Sequence, residues 1–205
     1  MLNKEYEILK PFADKPWQKF TFKQVIIISK KKSKSYVFKT LKKFTKERIL
    51  KEKKVGNAIL YSINFDSMKA LFYVGFVSEY IGFNKKNIPL KDLEKISSKI
   101  PSEFYILIVT GSYARGTQTK NSDLDLAIIC DSLNPNEVYS ELRYDCEMNI
   151  PKIHLYVFTK EQFLKMLLDK KPNYGKETSK NALILSGGKE YLRIIKEAIK
   201  NGFNG

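Results

Sequence analysis

The sequence predicts an α/β (α+β) protein of two domains, residues 1–82 and residues 83–205. Positive charge is concentrated in the N-terminal third: up to Asn64 there are 17 Lys and Arg and 5 Asp and Glu, against 20 and 17 in the remainder. The first part combines helical periodicity with one hairpin pattern, and the second alternates apolar runs with amphipathic segments. A polar stretch around Pro89 lies between them. We therefore expect a small basic domain followed by a mixed sheet flanked by helices.

The composition excludes several classes of protein. Hydrophobic residues make up 43% of the chain, which is enough for packed cores. The most apolar run, residues 70–78, is about half the length that a membrane helix needs, and the first ten residues lack a signal-peptide pattern. Two cysteines and one histidine do not readily supply the four ligands of a structural zinc site. We expect a cytoplasmic protein without membrane association, in which both cysteines are free thiols.

The first domain is expected to begin with two helices. Helical spacing of apolar residues extends over residues 6–12, and the region of Pro11 and Pro16 is expected to end this helix. A short strand or loop follows, and then a second helix with residues 25–28 as core candidates. Both segments carry enough apolar residues to contribute to a core.

A third helix is the clearest element of this domain. Ser33 or Ser35 can cap it. Two β-rich runs follow and flank Gly56-Asn57, which predicts a hairpin with its turn at these residues, and residues 68–83 predict a closing helix. The apolar face predicted for the third helix consists of Val37, Phe38, Leu41, Phe44 and Ile49.

This order of elements resembles that of winged helix-turn-helix domains, over roughly residues 3–64 and the closing helix. In such domains a basic helix enters the major groove of DNA and the wing contacts phosphates. The resemblance therefore implies double-stranded DNA as a partner. The alternative is a small helical domain that only dimerises or docks on a protein. The lysines that the resemblance places near DNA are Lys34, Lys39, Lys42 and Lys43 on the helix, and Lys53 and Lys54 on the wing.

The segment "FYILIVTGSYARG" predicts a buried strand followed by a sharp turn. Its apolar run, residues 104–109, suits a strand that is buried on both faces. Gly111 and Ser112 end the run, and a glycine lets the backbone turn sharply and approach a ligand closely. A helix beginning near Tyr113 would direct free N–H groups toward the same place, and Gly116 would end it. This turn is therefore a candidate anion site.

The segment "SDLDLAIIC" predicts a second buried strand that carries two carboxylates. Because side chains alternate along a strand, Asp123 and Asp125 share one face, and Leu124, Leu126 and Ile128 face the core. Two carboxylates this close repel each other, and burying both without compensation costs several kcal/mol. A divalent cation removes this cost, and Mg²⁺ commonly bridges carboxylates to substrate phosphates. The pair therefore predicts a magnesium and nucleotide site.

The two-part pattern "GSYARGTQTKNSDLDLAII" resembles the DNA polymerase β-like nucleotidyltransferase superfamily, in particular its minimal nucleotidyltransferases. The resemblance implies transfer of a nucleoside monophosphate, AMP from ATP, to an acceptor with release of pyrophosphate. It also implies that Gly111 and Ser112 hold the triphosphate and that Asp123 and Asp125 bind two Mg²⁺ ions. Arg115 follows in the turn, where it is a candidate for phosphate neutralisation or a plain surface residue. A toxin-like protein partner is one acceptor that the resemblance allows.

The pattern departs from this superfamily at one position. Active members add a third acidic residue on a later strand, where this sequence has "KIHLYVFT" with His154. Three interpretations stay open: His154 replaces the acid as base or metal ligand, Asp145 or Glu147 approaches from nearby, or the site binds nucleotide without efficient catalysis. The last would make the protein a DNA-binding transcriptional regulator rather than an enzyme.

The C-terminal part is expected to complete the second domain. Thr159 and Gln162 form a capping-box pattern at the start of an amphipathic helix. A short apolar strand follows within "NALILSGG", and a final amphipathic helix is stopped by Gly202.

Overall fold

The computed structural model describes residues 4–131 and 134–205. Its contacts divide the chain into two compact units, Met1–Ser78 with Gly188–Gly205, and Glu79–Gly187. The C-terminal segment thus groups with the first unit, although the sequence suggested a second domain of residues 83–205. The domain ranges themselves stay a prediction. None of the helices in the described part of the chain is long and apolar enough to cross a membrane.

The first unit contains a three-stranded antiparallel sheet, with strand order β1-β3-β2, and helices from both ends of the chain. The last residues of α4, from Glu79, belong to the second unit. The elements are α1 (Tyr6–Asp14), β1 (Phe20–Thr21), α2 (Phe22–Ser29), α3 (Lys34–Lys46), β2 (Leu50–Val55), β3 (Ala58–Ile63), α4 (Met68–Phe83) and α10 (Gly188–Lys200).

Local sequence signals set most of these boundaries. Thr21 and Gln24 form a capping box at the start of α2, and the Ser33 hydroxyl accepts a hydrogen bond from the Tyr36 amide at the start of α3. The predicted hairpin is confirmed, with Val55 paired to Ala58 across a two-residue turn. Gly56 has φ +55 in that turn, a conformation that favours glycine.

Helix α1 ends at Asp14, within the region of Pro11 and Pro16 that was predicted to end it, and Phe12 is fully buried. Two expectations about the buried residues of the first unit are wrong in part. Of residues 25–28 only Val25 is buried, whereas Ile27 is 72% exposed, because four consecutive helical residues point in all directions around the axis. Phe38 is 47% exposed, because it follows buried Val37 directly and neighbouring helical residues point in different directions. The other four members of the predicted apolar face are buried.

The second unit is built on a four-stranded mixed sheet of order β6-β5-β4-β7. Strand β4 is antiparallel to both β5 and β7, and β5 is parallel to β6. The elements are α5 (Leu90–Ser97), β4 (Tyr105–Thr110), α6 (Gly111–Arg115), β5 (Leu124–Cys130), α7 (Pro135–Met148), β6 (Ile153–Thr159), α8 (Lys160–Leu168), α9 (Tyr174–Lys180) and β7 (Leu183–Ser186).

One face of this sheet packs against α5 and α7. The predicted alternation along β5 is confirmed, since Leu124, Leu126 and Ile128 are fully buried in a cluster that also holds Leu93 of α5 and Leu142 of α7. The Thr159–Gln162 capping box is also present at the start of α8. The face of the sheet opposite α5 and α7 carries Asp125 and therefore the candidate site.

Candidate active site

Three polar side chains meet where β5 and β6 begin. The parallel register sets Asp125 beside His154, and Asp123 immediately precedes β5. His154 Nε2 lies 3.1 Å from Asp123 Oδ2, and His154 Nδ1 lies 3.7 Å from Asp125 Oδ1. Their side chains are 41% (Asp123), 28% (Asp125) and 45% (His154) exposed, so a ligand can reach all three.

The turn after β4 reaches the same place. Thr110 pairs with Asp125 in the antiparallel register of β4 and β5, so the next residue, Gly111, lies beside that carboxylate. Gly111 has φ +65, and a Cβ atom built on it would overlap the Asp125 carboxylate. Both constraints require glycine. Ser112 is half-buried in this turn and Arg115 is exposed at the end of α6.

The electrostatic surroundings of Asp125 are mixed. Burial raises the pKa of the Asp125 carboxyl, and the negative charges of Asp123 and Glu177 act in the same direction. The opposing influences come from His154 and Arg115, which lower that pKa without reversing the shift. A bound cation would relieve the repulsion between the two aspartates.

Helix α9 contributes residues that the sequence reasoning missed. Tyr174 stacks on Tyr156 of β6, with ring centroids 4.0 Å apart. Tyr156 shares the strand face of His154, as the alternation predicted. Glu177, three residues after Tyr174, acts electrostatically on both Asp125 and Tyr156, whose pKa is raised mainly by burial. Only the fold reveals that α9 lies here, although the i, i+3 spacing then places Glu177 on the side of Tyr174.

The two alternative acids lie on α7, which packs against the opposite face of the sheet. Asp145 Oδ2 is 2.6 Å from Lys99 Nζ, and Glu147 Oε1 is 2.9 Å from Arg143 Nε. Each carboxylate therefore already has a partner on its own side of the sheet. Glu147 also lines a groove that extends around the edge of β6 to His154. The structure thus brings His154, and not Asp145, next to the two aspartates.

The donor set suits a cation that receives some of its ligands from a substrate. Asp123 and Asp125 offer hard carboxylate oxygens, which Mg²⁺ prefers. Across residues 4–131 and 134–205, no group of three or more His, Cys, Asp or Glu side chains is arranged to hold a metal ion. Since Mg²⁺ is commonly held by one or two carboxylates and substrate phosphates, the pair fits such a site when a nucleotide is present.

The predicted nucleic-acid lysines all lie on the surface of the first unit. Lys34 and Lys39 are exposed on α3, and Lys53 and Lys54 are exposed on β2. Two further lysines of α3 form ion pairs within the unit, Lys42 with Glu52 at 3.1 Å and Lys43 with Glu5 at 2.6 Å.

Comparison with known families concerns the second unit. Residues 91–185 match the family model described as "Nucleotidyltransferase domain", a range that contains the Gly-Ser turn, both aspartates and His154. The match supports the nucleotidyltransferase superfamily for this part of the chain, and with it a general nucleotidyl transfer activity on a nucleotide substrate. Comparisons with curated proteins and with solved structures gave no significant match.

Gly111→Ala is expected to destabilise the protein more than Gly116→Ala does. Both glycines have positive φ, but only a Cβ at Gly111 meets a carboxylate, whereas at Gly116 it meets the flexible end of Lys85. Positive φ alone destabilises a residue that has a Cβ by about 1–2 kcal/mol. Urea unfolding of the two variants measures the difference. The excess for Gly111 should shrink when Asp125→Ala is added, and an unchanged excess would contradict the overlap with Asp125.

Asp125→Asn is expected to stabilise the metal-free protein at neutral pH. Because burial raises the Asp125 pKa, the unfolded chain, with its value near 3.8, ionises this group more readily than the folded chain. The free energy of unfolding of wild type therefore falls as the pH rises from the unfolded pKa through the folded pKa of Asp125. The asparagine variant has no ionisable group at this position and does not lose this stability. Urea unfolding in EDTA should give a higher free energy of unfolding for Asp125→Asn than for wild type at about pH 7. This difference should disappear below the unfolded pKa of Asp125.

Asp145→Asn is a control that is expected to change the stability in the opposite direction. A hydrogen bond from Lys99 lowers the pKa of the Asp145 carboxyl, so its ionised form stabilises the folded chain. This variant should lose stability at neutral pH and match wild type at low pH. If both variants lost stability at neutral pH, burial would not be the main influence on the pKa of Asp125.

Proposed function

We propose that the second unit transfers AMP from ATP to a hydroxyl group of an acceptor, with Mg²⁺ ions bound at Asp123 and Asp125. The observation that carries this proposal is the convergence of Gly111, Asp123 and Asp125 at adjoining strand ends, within the range that matches the nucleotidyltransferase family. Two Mg²⁺ ions held there would neutralise phosphate charge and favour an in-line displacement.

The remaining residues of the site have separate roles in this proposal. The Gly111 turn and the Ser112 hydroxyl bind the triphosphate, and Arg115 offsets its negative charge. The acceptor oxygen attacks the α-phosphorus, the bond from that phosphorus to the bridging oxygen of the β-phosphate breaks, and pyrophosphate leaves. The acceptor proton passes to His154, which we propose as the base in place of a third carboxylate.

The position of His154 supports this role. Its Nε2 atom is within hydrogen-bonding distance of Asp123, which can orient the ring and stabilise the imidazolium after proton transfer. Its side chain is 45% exposed, so an acceptor can reach it. A role as metal ligand is the alternative, and the dependence of transfer on the Mg²⁺ concentration separates the two, because only loss of a ligand weakens metal binding.

We further propose that the first unit is a winged helix-turn-helix domain that binds double-stranded DNA. The order α1-β1-α2-α3-β2-β3 and the exposed lysines of α3 and β2 support this proposal. A second candidate function for the whole chain is a transcriptional regulator that binds nucleotide without efficient catalysis. The histidine at the position expected for a third acid favours this alternative.

Transfer assays with radiolabelled ATP, CTP, GTP and UTP, Mg²⁺ or Mn²⁺ and a cell extract test the enzymatic proposal. Asp123→Ala/Asp125→Ala should abolish labelled product, and His154→Ala should lower the rate by about 10²–10⁴-fold. The Mg²⁺ concentration that gives half-maximal transfer should stay unchanged in the histidine variant if the imidazole is the base, and should rise if the imidazole is a metal ligand. Tyr144→Ala, at a 72% exposed position of α7, should retain wild-type transfer.

Nucleotide binding without transfer, together with DNA binding, would favour the regulator. Transfer that survives the double aspartate substitution would contradict the assignment of the site.

Fluorescence anisotropy with a labelled duplex tests DNA binding. Lys34→Ala and Lys39→Ala should each weaken binding, and removal of one lysine–phosphate interaction should reduce the slope of log affinity against log salt by about 1. Lys170→Ala, on the second unit, should leave that slope unchanged. Absence of salt-dependent binding in wild type would leave protein docking or dimerisation as the role of the first unit.

A further inference from the structure

Helix α4 is apolar on all sides along the part that belongs to the first unit. Between Met68 and Ser78 the sequence has one charged residue, Lys69. The side of this segment that packs inside the unit consists of buried Ala70, Leu71, Val74 and Val77. A helix that is apolar on every side is normally covered on every side. The other side of α4 is therefore expected to have a cover as well.

That other side is exposed and forms one continuous stripe. Met68, Phe72 and Phe76 follow one another at i, i+4 spacing, and Tyr73 lies beside Phe72 with ring centroids 6.2 Å apart. These four residues are the α4 stripe, and they are 85% (Met68), 62% (Phe72), 42% (Tyr73) and 47% (Phe76) exposed. Because an aromatic side chain offers about 150–250 Å², the stripe exposes roughly 400 Å² of apolar surface. A contiguous patch of this size is typical of a site where another molecule binds.

The charged groups that border the stripe neutralise one another. Lys69 Nζ lies 5.6 Å from the centroid of the Tyr73 ring and 2.6 Å from Glu47 Oε2. Lys43, which interacts electrostatically with Tyr73, has its Nζ atom 2.6 Å from Glu5 Oε2. Nucleic acids and anionic lipid surfaces bind where cations are available, and these cations are already paired. The stripe therefore favours an apolar, uncharged occupant.

The shape of the stripe favours a folded surface over a single peptide. Peptides commonly bind along sheet edges or in concave grooves, whereas the stripe is the convex side of a helix. Such a surface packs well against a second helix, because the ridges of one helix enter the grooves of the other. The α4 stripe of a second copy is a helix of this kind, and it is present whenever the chain itself is present.

The area of the stripe is sufficient for a dimer. Two stripes that cover each other bury about 800 Å² of apolar surface. Homodimer interfaces are about 65% apolar, so this corresponds to a total interface of about 1,200 Å², the lower end of the range for stable complexes. The formal charge of +15 opposes association of two copies in general. A neutral patch is the place where they approach each other with the least repulsion.

We infer that the chain forms a homodimer through α4, in which the two helices cross antiparallel near Val74 and Phe72 of each copy packs against Phe76 of the other. One two-fold axis relates the copies, so the contact is isologous. A parallel pair would bring the two Lys69 side chains together, whereas the antiparallel pair separates them by about 15 Å along the helix. This inference does not depend on the proposed transfer activity.

The two-fold axis relates the two α3 helices as well. Dimers of helix-turn-helix domains bind two half-sites, and the symmetry of the DNA site mirrors that of the protein. Dimerisation would therefore make a palindromic duplex the preferred form of the DNA that we propose for the first unit.

Sedimentation equilibrium of the full chain over a range of concentrations tests the dimer. Wild type should approach twice the chain mass of 23.8 kDa, and its thermal midpoint should rise with protein concentration. Phe72→Glu buries an unpaired charge in the interface and should raise the dissociation constant about 30-fold or more. Ile27→Glu introduces the same charge at a 72% exposed position of α2 and should leave the dissociation constant unchanged. Circular dichroism verifies that both variants are folded.

Mixtures of variants test the pairing within the interface. Phe72→Glu and Phe76→Lys should each be largely monomeric alone. In a heterodimer of the two, the new carboxylate lies against the new ammonium group and the second aromatic pair stays intact, so the mixture should recover dimer. A mixture of Phe72→Glu with Phe72→Lys should recover less, because these positions are not opposite each other in an antiparallel pair. Greater recovery in the second mixture would overturn the antiparallel arrangement.

Three results would overturn the dimer itself. The first is a wild-type chain that stays monomeric at every concentration. The second is a dimer that Phe72→Glu and Ile27→Glu weaken equally, since the stripe would then not be its interface. The third comes from sedimentation with neutral phosphatidylcholine vesicles: binding of monomeric wild type that Phe72→Glu abolishes would assign the stripe to a lipid surface.

Discussion

The antiparallel pairing of β4 with β5 is the interaction on which the candidate site depends. It sets Thr110 opposite Asp125, so the chain leaves β4 directly beside a carboxylate. Gly111 fits there because it has no Cβ and can adopt positive φ. The parallel pairing of β5 with β6 then adds His154. A slip of one residue in either pairing would turn Asp125 or His154 to the opposite face of the sheet. These two registers therefore determine which side chains form the site.

Local patterns predicted much of this arrangement. The alternation along β5 predicted the shared face of Asp123 and Asp125, and the caps at Ser33 and Thr159 followed from short-range hydrogen bonding. The position of α9 could not be predicted in this way. Its Tyr174 and Glu177 lie about 50 residues beyond the Asp-x-Asp pattern, and only the packing of α9 on β6 brings them to the site. Helical spacing similarly failed to distinguish buried Val25 from exposed Ile27.

The two faces of the second unit's sheet have different physical roles. The face toward α5 and α7 is a closed apolar cluster, in which burial raises the pKa of the Cys146 thiol to about 11 and so keeps it uncharged at neutral pH. The other face is open where the strands begin and carries ionisable groups of both signs. Asp125 lies between these environments: its strand is buried, while its carboxylate reaches the open side. Its raised pKa reflects this position.

His154 is the single histidine of the 205-residue chain, and it touches both aspartates. The imidazole region of a nuclear magnetic resonance spectrum therefore contains signals from one side chain, and these signals need no assignment. A cation, a nucleotide or a proton that bound at the aspartates would change the surroundings of this ring. The sequence thus provides a built-in spectroscopic reporter within hydrogen-bonding distance of the proposed catalytic groups, without labels or substitutions.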